Sequence, residues 1–260
     1  MAIACAVLFQ NQVESELSAA GLQCQMFQDW PDLDIVVSQE RSGKSNGQFS
    51  LANGGANVVV TPVSAPFAED SWELCETSLL WPNSQEFNNE YQANCIVAVD
   101  DEVGDERSAT VLLTKVMASL VEVSNESVAV YWAAANHLVF PPLFREMALS
   151  VLPDPPLYLW VAFNIWRRED GELHALTQGL DRLGLMDIEI PQCGMSARET
   201  HEFAVNLAGY LVEHGLVIQD GDTVGQSEHE RIRAVYGASS IDPNKEVIQL
   251  AAPDLAFRRA

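Results

Sequence analysis

Three prolines in four residues, the Pro153-Asp154-Pro155-Pro156 stretch, constrain this chain more than any other feature. Proline lacks a backbone N–H and holds φ near one value, so neither a helix interior nor a central strand passes through such a run. The 260 residues are therefore expected to divide into two lobes, 1–153 and 154–260, each long enough to close its own core.

Strand and helix patterns alternate along both lobes without a fixed repeat. In the first, "IACAVLF" reads as a buried strand, and "QVESELSAAG" as a short helix with Val13, Leu17 and Ala20 on one face and Gly21 as its stop. Strands over 33–38, 47–52 and 56–62 make a meander, the last two joined at Asn53 to Gly55, where glycine supplies the positive φ of a tight hairpin. A helix opens at Pro66 and ends before Trp81-Pro82. A strand over 94–99, a helix running to Val121, a strand over 127–134 and a helix over 141–152 complete the lobe.

The second lobe opens with two strands, 157–169 and 171–180, around a turn at Asp170-Gly171, followed by the short strand "MDIEI" closed by Pro191. Ser196 with Glu199 three residues on is a capping box. It predicts a helix with Phe203, Leu207, Tyr210 and Leu211 at helical spacing, stopped by Gly215, and then a strand from Leu216 to Ile218. Hairpin turns join antiparallel strands, and a purely parallel sheet has no need of them. The expected fold class is α+β: two lobes, each a mixed or antiparallel sheet with packed helices.

Charge bears on partners. With 37 acidic against 14 basic side chains the net charge is −23, which repels phosphate backbones and anionic lipid heads. Nucleic acid and membrane surfaces are not expected partners, whereas a basic protein is. Plain solubility is the competing explanation. Residues 1–130 carry 19 acids and 4 bases, and residues 131–260 carry 18 and 10, so an electrostatic face belongs to the first half. The five cysteines contain no Cys-x-x-Cys pair, and Cys5 and Cys95 fall in strand patterns where a thiol acts as a small apolar group. The apolar N-terminus lacks a basic leader region, and Val128 to Phe144 falls short of the roughly 20 residues a membrane helix needs. A cytoplasmic location is expected.

Two acidic segments are candidate sites. Asp100, Asp101, Glu102, Asp105 and Glu106 precede the helix ending near Val121 and are the candidate partner-binding residues. The alternative is that they are solvated acids favoured at a helix start. "DGDTVG", from Asp220 to Gly225, places Asp220, Asp222 and Gly225 at positions 1, 3 and 6 of a calcium loop, but position 12 is then Arg231, a cation where the bidentate glutamate belongs. The stretch also lacks the lysine and glycine spacing of a phosphate loop, which leaves a turn with Gly221 at the bend. No nucleophile elbow, His-Glu-x-x-His or zinc-deaminase pattern occurs. His201 and His214 are thirteen residues apart on one helix, on different faces. No catalytic residue, metal or cofactor is assigned.

"TQGLDRLGLMDIEIP", followed by "AVNLAGYLVEHGLVIQDGDTVGQSEHERIRAVYGASSIDP", resembles the bacterial family catalogued as domain of unknown function 4261. The likeness rests on Gly179, Leu180, Gly184, Glu189, Tyr210, Leu211, Gly215, the Asp220-Gly221-Asp222-Thr223 turn and Gly225, and covers roughly 175–250. Upstream segments such as "PLYLWVAFNIWR" resemble those that precede that domain. The family implies no activity. The helix, short strand and Gly-Asp turn are also similar to suppressor-of-fused-like proteins, which implies a bacterial immunity protein neutralising a secreted toxin. Two functions stay open: a non-enzymatic binding protein for a basic toxin or effector, and a metal-dependent hydrolase using Asp220, Asp222 or Glu189.

Overall fold

The computed structural model describes residues 2–13, 17–40, 47–67, 80–81, 91–169, 171–191, 195–225 and 232–251. They form two compact units, Met1–Trp160 and Val161–Ala260. The Pro153 to Pro156 stretch lies inside the first unit, and the division falls after Trp160.

The first unit runs β1 (Ala2–Gln10), α1 (Ala19–Asp29), β2 (Ile35–Glu40), β3 (Phe49–Asn53), β4 (Ala56–Val63), β5 (Ala93–Asp101), α2 (Glu106–Val123), β6 (Ser127–Trp132), β7 (His137–Val139), α3 (Pro141–Val151) and α4 (Leu157–Trp160). Its seven strands lie in the order β2-β3-β4-β5-β1-β6-β7, with every neighbouring pair antiparallel. The β2-β3-β4 meander is as expected. Asn53 pairs with Ala56 and Gly54 sits at φ 59°, so the two glycines make the tight turn. Helix α2 packs on β1 and β5, flanked by α1 and α3. Arg145 of α3 ties the three helices together: its guanidinium donates to both oxygens of Asp29 on α1, at 2.7 and 2.9 Å, and to the Ala118 carbonyl of α2 at 3.0 Å.

Two local expectations are corrected here. Gly21 does not stop a helix: it lies in the first turn of α1, where Ser18 is the N-cap and accepts from the Gly21 N–H at 3.2 Å. Leu157 to Trp160 form a helical turn instead of strand, because Pro155 and Pro156 precede it and the Pro156 carbonyl accepts from the N–H groups of Leu159 and Trp160. Trp160 then donates through Nε1 to Thr114 on α2, which holds α4 in the first unit. Most of the helix expected after Pro66 lies outside the described residues.

The second unit runs β8 (Ala162–Arg167), β9 (Leu173–Gln178), a 3-10 turn (Leu180–Leu183), β10 (Asp187–Ile190), α5 (Ala197–His214), β11 (Thr223–Val224), β12 (Ile232–Ala238) and β13 (Glu246–Ala251). The sheet order is β11-β12-β13-β10-β9-β8, with β10 and β13 parallel and the other pairs antiparallel. The hairpin at Gly171, φ 87°, joins β8 to β9; Asp170 lies outside the described residues. Ser196 and Glu199 form the capping box of α5, whose Phe203, Ala204, Leu207, Ala208, Leu211 and Val212 are buried, and the helix packs on β8 and β9. Tyr210 stays 46% exposed. Leu216 to Ile218 pair in no sheet, a third correction: the Ile218 carbonyl accepts from the Tyr236 hydroxyl. The architecture is α+β, one antiparallel and one mixed sheet with packed helices. Among the described residues no helix is long and apolar enough to cross a membrane.

Candidate functional site

The acidic run from Asp100 to Glu106 forms the end of β5, a loop and the start of α2, and its carboxylates are not equivalent. Asp101 is buried and accepts from the N–H groups of Val103 at 3.1 Å and Gly104 at 2.6 Å. A Cβ on Gly104 would stand 2.2 Å from Asp101 Oδ2, so only glycine lets the loop close on this carboxylate. Asp105 is the N-cap of α2: it accepts from the Ser108 N–H and hydroxyl, at 2.8 Å each, and those bonds hold its carboxyl below the ordinary range. Asp100 lies in the ladder opposite Ile3 and Asn57. Glu102 and Glu106 are exposed, and between them Val103 is 85% exposed. Gly55 of the β3–β4 turn approaches the loop closely, since a Cβ there would meet Val103 Cγ2 at 2.6 Å.

Beside this loop is a small cavity of about 290 Å³, lined by Leu33, Asn53, Asp105, Arg107, Ser108 and Lys115 among others. Lys115 stands 5.4 Å over the Trp30 ring. Burial lowers its pKa, and Asp32 opposes that.

In the second unit the Asp220–Asp222 segment is a turn whose two carboxylates accept from backbone N–H groups, Asp222 within the turn and Asp220 from β12. Asp222 N–H donates to the Gln219 carbonyl at 3.0 Å with Gly221 at φ 88°, the arrangement of a type II turn, which needs positive φ at its third residue. Gly221 and Asp222 then both bond Ala234 of β12, making a one-residue bulge. Asp222 accepts from the Gln219 N–H at 2.8 Å and Asp220 from the Tyr236 N–H at 2.9 Å.

Glu189 lies at the centre of a polar set that the sequence reading did not assemble. It is fully buried on β10, accepts from the Ser240 N–H and hydroxyl, and has His174 Nε2 at 3.0 Å. His174 meets it at ion-pair distance without an aligned hydrogen bond, its ring stacked on Trp166 at 4.5 Å. Burial pushes the Glu189 carboxyl up, but the bonds from Ser240 and Ser239 and the nearby His174 outweigh it and hold the pKa below the ordinary value. Burial lowers the His174 pKa in turn, against the opposing pull of Glu189. This is no hydrolytic triad. There the imidazole stands between nucleophile and acid, whereas here the carboxylate stands between hydroxyl and imidazole.

Two residues before Glu189, Asp187 is also fully buried. It accepts from Thr177 at 2.9 Å, the Leu180 N–H at 3.1 Å and Lys245 Nζ at 2.6 Å. Burial raises its pKa against the pull of Lys245, whose own pKa is lowered by burial but raised on balance by Asp187 and Asp181. The signal in "MDIEI" was the alternation itself: acids at Asp187 and Glu189 between Met186, Ile188 and Ile190 put both carboxylates on one face of an otherwise apolar strand. Among the described residues no three His, Cys, Asp or Glu side chains gather where a metal ion could be held.

The chain is thus a two-unit α+β protein whose second unit carries a mixed sheet with a buried acid pair. Residues 176–251 match a family model, Domain of unknown function (DUF4261), so that segment of the second unit is a domain of this family. The match runs from β9 to β13 and takes in Asp187, Glu189 and the Asp220–Asp222 turn; Asp100 to Glu106 lie outside it. No curated protein and no solved structure matches the chain.

Proposed function

We propose that this is a non-enzymatic protein-binding protein for a basic partner, in its sharpest form an immunity protein that neutralises a cationic toxin or effector by covering it. The observation that carries the reading is the exposed Glu102 and Glu106 framing the exposed Val103 on a loop fixed by Asp101 and Asp105, in a chain of net charge −23. Exposed carboxylates speed encounter with a cationic surface, and an apolar residue at their centre supplies the contact that slows release. Asp100, Asp101 and Asp105 shape the patch, while Glu102 and Glu106 steer. The hydrolase alternative would need Glu189, Asp220 or Asp222 free to meet a cation or water, and all three are engaged by backbone N–H groups.

The test is affinity capture from host-cell lysate with the wild-type chain and the Glu102→Lys/Glu106→Lys variant, at low and at physiological salt. The reading expects basic proteins retained by the wild type, lost by the variant and weakened by salt, with both proteins melting alike because neither glutamate is buried. Equal capture by the two, or turnover of an ester, amide or phosphate substrate that Glu189→Gln abolishes, overturns it.

A further inference from the structure

A larger cavity, about 730 Å³, lies in the second unit between α5 and β11, well within the range of about 300–1,000 Å³ typical of ligand sites. Phe203, Leu207 and Tyr210 of α5 form one wall, Val217 and Ile218 contribute apolar surface, and Thr223 and Val224 of β11 form the other wall. Tyr210 and Val217 are 46% and 45% exposed, a high apolar exposure for two neighbours in one groove.

The β11 wall has directional backbone groups. β11 ends its sheet, with no strand beyond it among the described residues. Asp222 accepts from the Ala234 N–H of β12, and the next pair in register is Thr223 with Arg233. Bonded and non-bonded pairs alternate along an antiparallel ladder, so the N–H and C=O of Thr223 point away from β12. An edge of this kind is a template for another strand. The adjoining charge is negative: Asp222 lines the groove and Asp220 is fixed beside it by the Tyr236 N–H, against the single Arg233 guanidinium near Gly221.

We infer that this groove binds an extended, lysine- or arginine-bearing segment of a partner protein, which adds as a strand to β11 and drops alternate apolar side chains between α5 and Val217. Main-chain bonds to Thr223 hold the segment, the apolar wall selects every second side chain, and the carboxylates of the turn select its charge. The site is separate from the Glu102–Glu106 patch and rests on none of the same residues.

The experiment is selection of displayed random peptides on the full chain, followed by solution binding of an enriched peptide. Enriched sequences should alternate apolar residues and carry Lys or Arg. Thr223→Pro removes the outward N–H while sparing the bonds to β12, and Tyr210→Glu puts a charge into the apolar wall; each should weaken the peptide roughly tenfold or more. N-methylation of alternate peptide amides should do the same, and that series decides the matter if Thr223→Pro does not fold. Glu102→Lys/Glu106→Lys should leave peptide affinity unchanged, so loss of the first-unit reading and loss of this one are told apart. No enrichment, or an enriched peptide indifferent to both groove variants and to N-methylation, overturns the proposal.

Discussion

The two units bury their polar groups differently. In the first, Gln10, Thr110, Thr114, Ser119, Ser124 and His137 are buried neutral groups, and the buried carboxylate of Asp101 accepts from the backbone N–H groups of Val103 and Gly104. Thr114 donates to the Thr110 carbonyl, Gln10 to Ser124, and the His137 Nε2 faces the Leu159 carbonyl at 3.0 Å. In the second, Asp187 and Glu189 are both fully buried, and Lys245 and His174 are packed against them. A neutral buried group that loses its partner costs about 1–3 kcal/mol, whereas a buried charge that loses its counter-ion costs about 3–5. The first unit therefore spreads its polar groups over neutral bonds, the backbone-held Asp101 and the part-buried Arg145–Asp29 pair, whereas the second concentrates its fully buried carboxylates in one strand, β10, between β9 and β13.

The largest effect that would break this contrast is at Lys245. Lys245→Met keeps the alkyl stem but strips Asp187 of its cation, and should cost about 3–5 kcal/mol in urea unfolding, with Lys245→Arg much milder. A loss below about 1 kcal/mol would mean that Asp187 is buried as a neutral acid, and the two units would then handle polar groups alike.

His137 sharpens the contrast from the other side. Burial holds its pKa at about 4 against an ordinary 6.5, with the Leu159 carbonyl opposing the shift. As pH falls, the unfolded chain takes up the proton first. The contribution of the neutral ring is intact above 6.5 and is lost between 6.5 and about 4, up to about 3 kcal/mol. Urea midpoints of the wild type and His137→Gln should therefore converge or cross as pH drops through that window. A difference that does not change with pH would show that the ring is not held neutral by burial.

The same contrast explains what the sequence made legible. Local chemistry announced itself: Ser196 with Glu199 fixed the start of α5, and Asn53 to Gly55 fixed a hairpin, because caps and tight turns are decided within four residues. Gly21 misled because a glycine in a first turn and a glycine past a helix end look alike until the Ser18 side chain is seen capping the helix. β12 and β13 went unassigned, and the pairing of β10 with β13 joins residues about sixty apart, which no local pattern encodes. The acid run was visible as a set, yet its division into the structural Asp101 and Asp105 and the exposed Glu102 and Glu106 depends on which backbone N–H groups the loop turns inward. Distance in sequence, not weakness of interaction, is what hid the Glu189 set: His174, Glu189 and Ser240 lie on three different segments.

The smallest effect concerns the acidic turn of the second unit, where the carboxylates are local as in the first. Asp222→Ala removes the acceptor for the Gln219 N–H, but both groups are exposed, so water takes the vacated bond and the cost should be about 1 kcal/mol. The bend itself survives, since it is made by Gly221 at positive φ and by the backbone bonds of Gly221 and Asp222 to Ala234. Peptide affinity in the groove should fall only modestly, because Asp222 contributes charge there while Thr223 supplies the main-chain bonds. Urea unfolding measures the first effect and titration with an enriched peptide the second. Stoichiometric calcium or magnesium binding that disappears in Asp222→Ala would make the turn a cation site, and would place an acidic functional centre in the unit where the carboxylates are otherwise committed to the fold.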